Sequence, residues 1–177
     1  MLYEGIFDKL KKSAKSAGKA SAKWLRQQAA KLDSTSPLTL LKDRDKLVST
    51  PRVGGMYMYL YDPRDKKKLP YYDRFPLCVI VDKYNGGFMG INLHYVPPQL
   101  RARFMDSYVN KEGNSLNVPS KLIKSKPWIN TVKRYLTSQV RSRFLTVPPS
   151  DWDMAIFLPV ERFEKKSKSS VWSSGRR

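Results

Sequence analysis

Cysteine and histidine are scarce in this sequence, and each scarcity excludes a class of site. Cys78 is the one cysteine, so the chain can form neither an intramolecular disulfide nor a paired-cysteine metal site. His94 is the one histidine, so neither a multi-histidine metal site nor a histidine pair can be assembled. The GxxxxGK motif that cradles phosphates in nucleotide-binding loops is also missing. We therefore expect no metal and no cofactor.

Long apolar runs are missing as well. None approaches the roughly 20 residues that a membrane-spanning helix needs. Residues 1–12 lack the apolar segment of a secretory signal, so we expect no export by that route. Cys78 lies within an apolar stretch, and free cysteines are among the most often buried residues, so it is predicted to be a buried structural thiol.

Acidic residues are few, and the resulting imbalance is the strongest signal in the sequence. The chain has 34 Lys and Arg against 15 Asp and Glu, which leaves a net charge of +19 on 177 residues. Such a charge repels itself in a compact state, so a partner that neutralises it is expected. A polyanion is the predicted partner, and DNA is the first choice. Charge alone leaves ribosomal, nucleoid, virion and anionic-membrane proteins as alternatives.

The basic residues and the apolar residues are unevenly spread, which predicts a folded centre with basic ends. We expect a basic amphipathic helix over 1–32, a linker with a short helix over 33–49, a core domain over 50–163, and a basic tail rich in Ser and Lys over 164–177. The first segment fits a nucleic-acid arm, a membrane-surface helix, or a helix that packs on a partner protein. Its apolar face is mostly alanine, which argues against membrane insertion.

Short strands separated by turn residues predict an α+β core. The predicted strands are 56–61, 77–82, 88–95, 143–147 and 155–158, with a helix near 99–108 and mainly helical or loop structure over 110–142. Three strands, a helical insertion and two further strands suggest a small antiparallel SH3-like β-barrel. The alternative is an open antiparallel sheet with helices on one face.

Two short patterns raise the hypothesis of a nuclease. Asp65-Lys66-Lys67 and Glu164-Lys165-Lys166 each give the acid-x-Lys spacing that some metal-dependent nucleases use to hold Mg²⁺ and orient water. In a chain this rich in lysine such matches arise by chance, and both fall in predicted turn or tail. We therefore predict that the protein is not an enzyme, and that His94 is a hydrogen-bonded structural residue.

The basic residues are the best candidates for contacts with DNA, because they neutralise phosphates while exposed aromatic rings stack on bases. The candidate residues are Lys9, Lys12, Lys15, Lys19, Lys23, Arg26, Lys66, Lys67, Lys68, Tyr71, Tyr72, Arg74, Arg101, Arg103, Lys133, Arg134, Arg141 and Arg143. Tyr71 and Tyr72 are preferred for stacking because they lie in a predicted loop. The tyrosines of the run 57–61 are predicted to line the faces of a strand instead.

Several motifs of the core resemble a virion protein family of T-even-type tailed phages, the DNA end protector family. They are Gly55-Met56-Tyr57 through Tyr61-Asp62-Pro63, Leu69 through Leu77, Gly87-Phe88-x-Gly90-x-Asn92-Leu93-His94-Tyr95-x-Pro97-Pro98, Val140 through Phe144, and Trp152-x-x-Ala155-x-Phe157-Leu158-Pro159-x-Glu161-x-Phe163. The resemblance covers about 53–172.

The resemblance implies a minor head protein that binds the ends of the packaged linear double-stranded genome. Such a protein would shield the ends from the host's end-dependent exonuclease, in the virion and then in the host cytoplasm. It would also contact portal, neck or other virion proteins. The alternative is a structural neck, tail or baseplate component whose positive charge meets acidic protein surfaces.

Overall fold

The computed structural model describes residues 3–16, 18, 21–32 and 35–175, which form eight strands and six α-helices. The strands are β1 (Leu47–Val48), β2 (Met56–Met58), β3 (Tyr72–Asp73), β4 (Leu77–Tyr84), β5 (Gly87–Asn92), β6 (Val132–Leu136), β7 (Phe144–Val147) and β8 (Phe163–Glu164). The helices are α1 (Ile6–Ser16), α2 (Ala22–Ala30), α3 (Pro37–Leu40), α4 (Pro98–Tyr108), α5 (Trp152–Ala155) and α6 (Lys168–Ser174). Short 3₁₀ turns lie between them.

Six of the strands form one antiparallel sheet in the order β1-β7-β2-β4-β5-β6, and β3 pairs with β8 as a separate two-stranded ribbon. Within the described part of the chain, the two outer strands β1 and β6 do not pair with each other. The predicted α+β class is thus confirmed in its open-sheet form, and the sheet is not a closed barrel.

The longest pairing in the sheet is the β4–β5 hairpin. Gly86 has φ +86°, a left-handed conformation that glycine adopts without a steric cost. At Gly87 a Cβ atom would overlap the carbonyl oxygen of Tyr135, so only glycine lets β6 approach there. The strands predicted over 77–82 and 88–95 thus form a hairpin, and the glycines of its turn place β4, β5 and β6 side by side.

The side chains of the strands alternate between two apolar clusters. One face joins Leu77 and Val79 to the helices in a large core. The opposite face buries Cys78, Tyr57 and Tyr59 in an aromatic cluster. This division follows from the period-two geometry of a strand. The buried thiol is therefore as predicted. Tyr57 lines one face of β2 as predicted, whereas β2 ends at Met58, before Tyr59.

Two segments of the core differ from the prediction. The strand expected over 155–158 is instead the end of α5 and a turn. Residues 154–156 are completely buried, and an unbroken apolar run does not distinguish a strand from a buried helix by periodicity. β6 lies within the segment expected to be helical or loop. The prediction was wrong there because β6 pairs with β5, which is distant in sequence, so the local pattern did not indicate a strand.

The single helix expected over 1–32 is two helices, α1 and α2. Gly18 has φ +65°, and the hydroxyl of Ser21 accepts a hydrogen bond from the Trp24 amide as the N-cap of α2. Both helices pack on the core, where Phe7 and Ala29 are buried. The amino-terminal segment is therefore part of the globular structure.

The expected basic tail is also structured. α6 buries Val171, and the Trp172 indole donates a hydrogen bond to the carbonyl of His94 at 2.9 Å. Among the described residues, no helix combines the length and apolarity needed to cross a membrane.

Candidate nucleic-acid interface

Three basic side chains from separate parts of the sequence meet at one open cleft. Lys66, Arg74 and Arg141 line it, with Tyr72 on its wall. The remaining lining residues are Leu60, Tyr61, Asp62 and Glu164, and the cleft has a volume of about 530 Å³. The structure therefore brings together four of the candidate residues predicted from sequence.

Backbone hydrogen bonds hold the three segments of this cleft together. The Tyr61 amide donates to the carbonyl of Arg74 at 3.0 Å, and the Arg141 amide donates to the carbonyl of Leu60 at 2.8 Å. In the ribbon, Tyr72 lies opposite Glu164. The cleft is thus built on fixed main chain, although its side chains reach into solvent.

Each cation of the cleft has a carboxylate partner. Arg74 contacts Glu164 at 3.0 Å, and Lys66 contacts Asp62 at 2.9 Å, while Arg141 lies 4.0 Å from the same aspartate. The hydrogen bond from Lys66 lowers the pKa of Asp62 and raises the pKa of the lysine. Ion pairs this exposed contribute little to stability, because water and salt screen them.

A fourth lysine fixes the loop beside the cleft. The Lys165 ammonium donates to the carbonyl oxygens of Lys66, Lys67 and Leu69 at 2.6, 3.2 and 2.7 Å. Lys165 itself has φ 74°, a left-handed conformation that is uncommon for a residue with a side chain. Lys67 and Lys68 are exposed residues of the loop that these hydrogen bonds hold.

The two preferred stacking residues lie in different surroundings. Tyr72 lines the cleft, whereas the Tyr71 ring packs 5.8 Å from the ring of Tyr95 and lies 4.7 Å from the Lys166 ammonium. Both tyrosines are half-buried. Of the two, Tyr72 is the one placed beside the cleft cations.

Two further candidates lie on the outer strand β6. Lys133 lies 4.3 Å from the ring centroid of Tyr95, and Arg134 lies 4.4 Å from that of Tyr84. Burial lowers the pKa of Lys133. These cations contact aromatic faces, and they form a group separate from the residues that line the cleft.

Arg101 is a correction to the predicted interface, because it is completely buried. Its guanidinium donates to the carbonyls of Leu93, Val96 and Ile156 and to the carboxylate of Glu161, at 2.7 to 2.9 Å. Burial alone would raise the pKa of Glu161, but the neighbouring His94 and Arg101 hold it below its ordinary value. Arg101 therefore joins α4 to the carboxy-terminal segment. The exposed Arg103 stays a candidate.

The amino-terminal candidates lie outside the cleft. Lys9, Lys12, Lys15 and Lys23 are exposed, whereas Arg26 is paired with Asp153 at 2.7 Å and Asp106 at 3.1 Å. Lys19 lies outside the described residues. Arg143 is exposed and donates to the carbonyl of Leu47 at 3.1 Å.

His94 and two of the acidic side chains make structural contacts. His94 and Asp73 are buried together, with 2.8 Å between the ring Nδ1 and the carboxylate, as expected for a structural histidine. Glu164, one of the two acids of the nuclease hypothesis, pairs with Arg74. In the described ranges, no three His, Cys, Asp or Glu side chains are grouped to hold a metal ion.

Sequence reasoning missed three residues of this region. Asp62 and Glu164 line the cleft as carboxylate partners, and Lys165 holds the adjacent loop. Their places depend on the β3–β8 ribbon, whose strands have only two residues each and leave no periodic signal.

A protein-family model described as Phage T4 terminal DNA protecting protein matches residues 4–176. No curated protein and no solved structure matches the chain. The family match covers both amino-terminal helices, the sheet, the ribbon and α6.

Proposed function

This chain belongs to the phage T4 terminal DNA protecting protein family, whose members protect DNA ends, and we propose that it does so by binding an end stoichiometrically, without chemical turnover. The contact surface would be the cleft lined by Lys66, Arg74, Arg141 and Tyr72, together with the adjoining loop 66–69, which we name the end-binding surface. The observation that carries this proposal is the convergence of these cations from three chain segments on a fixed backbone.

The chemistry of the surface suits a nucleic acid. Arginine forks pair with phosphate oxygens in two-point contacts, and lysines add point charges. Tyr72 offers a ring to an unpaired or frayed terminal base, a contact worth roughly 1–3 kcal/mol. Phosphate contacts alone would bind anywhere along a duplex, so the aromatic wall supplies a preference for an end.

The same proposal extends to where the protein acts. We infer that it travels with the genome in the virion, against portal or neck proteins, and stays on the DNA end in the host cytoplasm. A bound protein that occupies the terminal base pair excludes an exonuclease that must load there. No cleavage of the DNA is required for this action.

The test replaces the three cleft cations together, as Lys66→Gln, Arg74→Gln and Arg141→Gln. We expect the variant to lose protection of blunt linear DNA against an end-dependent exonuclease. The negative slope of log affinity against log salt should also become shallower by about 2.7, since each of three lost phosphate contacts removes about 0.9.

The matched control changes three exposed cations that are not DNA-binding candidates, Lys42, Lys111 and Lys121, to Gln. It removes the same charge and should keep most of the protection. Equal loss in both triple variants would show that net charge alone binds DNA, and would overturn the end-binding surface.

A further inference from the structure

The three cations that line the cleft, Lys66, Arg74 and Arg141, are already paired with carboxylates. Asp62 forms ion pairs with Lys66 and Arg141, and Glu164 forms one with Arg74. In the wider protein, cations outnumber acids by more than two to one, 34 against 15, so unpaired lysines are plentiful elsewhere. The two acids therefore make this cleft a poorer site for an ordinary backbone phosphate than much of the surrounding surface.

An internal phosphate and a terminal phosphate differ in charge. A phosphodiester carries one negative charge, the same as the carboxylate that it would displace, so the exchange gains little electrostatic energy. A phosphate monoester loses a second proton near pH 6, and at neutral pH it carries between 1.5 and 2 negative charges. The monoester thus competes better than the diester for a cation that is already paired.

We propose that the cleft is a subsite for the terminal phosphate monoester of a DNA end, and that Asp62 and Glu164 select against internal phosphates. This inference rests on the proposed function and names the chemical group that the same site recognises. In the bound state the guanidinium groups of Arg74 and Arg141 and the ammonium of Lys66 surround the dianion. Tyr72 lies beside them on the cleft wall.

The shape of the site agrees with a terminal group. The cleft is bounded by the β3–β8 ribbon and by the segments around Tyr61 and Arg141, which are joined through backbone hydrogen bonds. Its lining residues come from both sides of this junction, so the three cations border a single cleft of about 530 Å³. A continuous backbone would instead require cations spaced along an open track. The cation-bearing side chains are 47 to 58% exposed, so they remain accessible to a ligand from solvent.

The experiment compares three probes at one salt concentration and pH 8. They are a blunt 30-base-pair duplex with 5′-phosphates, the same duplex with 5′-hydroxyls, and a closed circular DNA. We expect the wild-type protein to bind the phosphorylated duplex roughly tenfold more tightly than the hydroxyl duplex, which corresponds to one additional charge-assisted contact.

The variant Asp62→Asn with Glu164→Gln frees the cations, so circular DNA should bind more tightly and the preference for a 5′-phosphate should shrink. Asp45→Asn with Glu112→Gln removes the same charge from exposed acids outside the cleft. This control should strengthen binding to all three probes alike and preserve the preference.

The outcomes separate the two proposals. Equal affinity of the wild-type protein for the two linear duplexes, with circular DNA still weaker, would overturn the phosphate subsite and leave end binding in place. Equal affinity for all three probes, without protection from exonuclease, would overturn the proposed function itself. A preference for the 5′-phosphate that survives unchanged in the Asp62 and Glu164 variant would contradict the selecting role of the two acids.

Discussion

At the scale of single residues, Arg101 and Arg103 show how two neighbouring arginines take opposite roles. The guanidinium of Arg101 lies inside the core, where three carbonyls and one carboxylate accept its hydrogen bonds. Arg103 is exposed on the same helix. A buried ion pair adds little net stability while it is intact, but removing one partner leaves the other charge buried without compensation.

We therefore predict that Arg101→Met lowers the free energy of unfolding by roughly 3–5 kcal/mol, because Glu161 loses its buried partner. Arg103→Met should change it by less than about 0.5 kcal/mol, as is usual for surface substitutions. Chemical denaturation of both variants checks this. Equal stabilities would contradict the structural role given to Arg101.

The sequence contained a signal for this difference. Arg101 precedes Phe104 and Met105 by three and four residues, so the three share one face of the helix, whereas Arg103 does not. Helical periodicity therefore places Arg101 on the core side. The charge pattern instead suggested that both arginines bind DNA, because basic residues are common everywhere in this chain.

At the scale of elements, the loop 66–69 depends on a residue nearly a hundred positions later in the chain. The Lys165 ammonium occupies the carbonyls that the loop would otherwise expose to water. Under the proposed function, these hydrogen bonds order the main chain of the loop 66–69 before DNA binds. Ordering of this kind reduces the entropy lost on binding.

We predict that Lys165→Met frees this loop, weakens DNA-end binding, and increases amide hydrogen exchange over residues 66–69. The global stability should change little, because Lys165, Lys66 and Lys67 are exposed and only Leu69 is half-buried. Lys165→Gly separates the effect of the left-handed backbone from the effect of the ammonium. Glycine adopts the left-handed conformation without steric cost, but it lacks the ammonium. Binding that falls in the methionine variant and recovers with glycine would contradict the role of the ammonium.

The sequence predicted a strand when its pairing partner was close in the chain and missed it when the partner was distant. The β4–β5 hairpin has its turn glycines between its strands, and it was predicted. β6, β3 and β8 form only because distant segments lie beside them, so two to five residues of local pattern were insufficient. Four residues of the cleft were among the DNA-binding candidates, but no cleft was predicted, because the ribbon that helps to form it leaves no local pattern.

At the scale of the whole molecule, the amino-terminal helices are attached to the core by ion pairs and by apolar packing. Lys11 contacts the fully buried carboxylate of Asp151 at 2.7 Å, and Arg26 contacts Asp153. Phe7 and Ala29 belong to the main core. A segment anchored in this way stabilises the fold, whatever its exposed lysines contribute to DNA binding.

We therefore predict that deleting residues 1–32 destabilises the whole protein, and that Phe7→Ala alone costs roughly 3–5 kcal/mol. A variant with Lys9, Lys12, Lys15 and Lys23 changed to Gln keeps the packing and tests DNA binding separately. Its unfolding midpoint should stay near that of the wild type, while its affinity for DNA becomes less sensitive to salt. A deletion that leaves thermal unfolding unchanged would contradict this account.

The sheet order also governs how the chain reaches its native state. Leu47 in β1 pairs with Leu145 in β7, and Tyr72 in β3 pairs with Glu164 in β8, so early strands find their partners late in the sequence. Pairings of such high contact order fold slowly, since a long loop must close before any stabilising contact forms. During synthesis, the β4–β5 hairpin is available early, but β2 stays unpaired on one side until β7 has left the ribosome. The nascent protein therefore exposes strand edges and basic segments together, and its final folding step follows translation of nearly the whole chain.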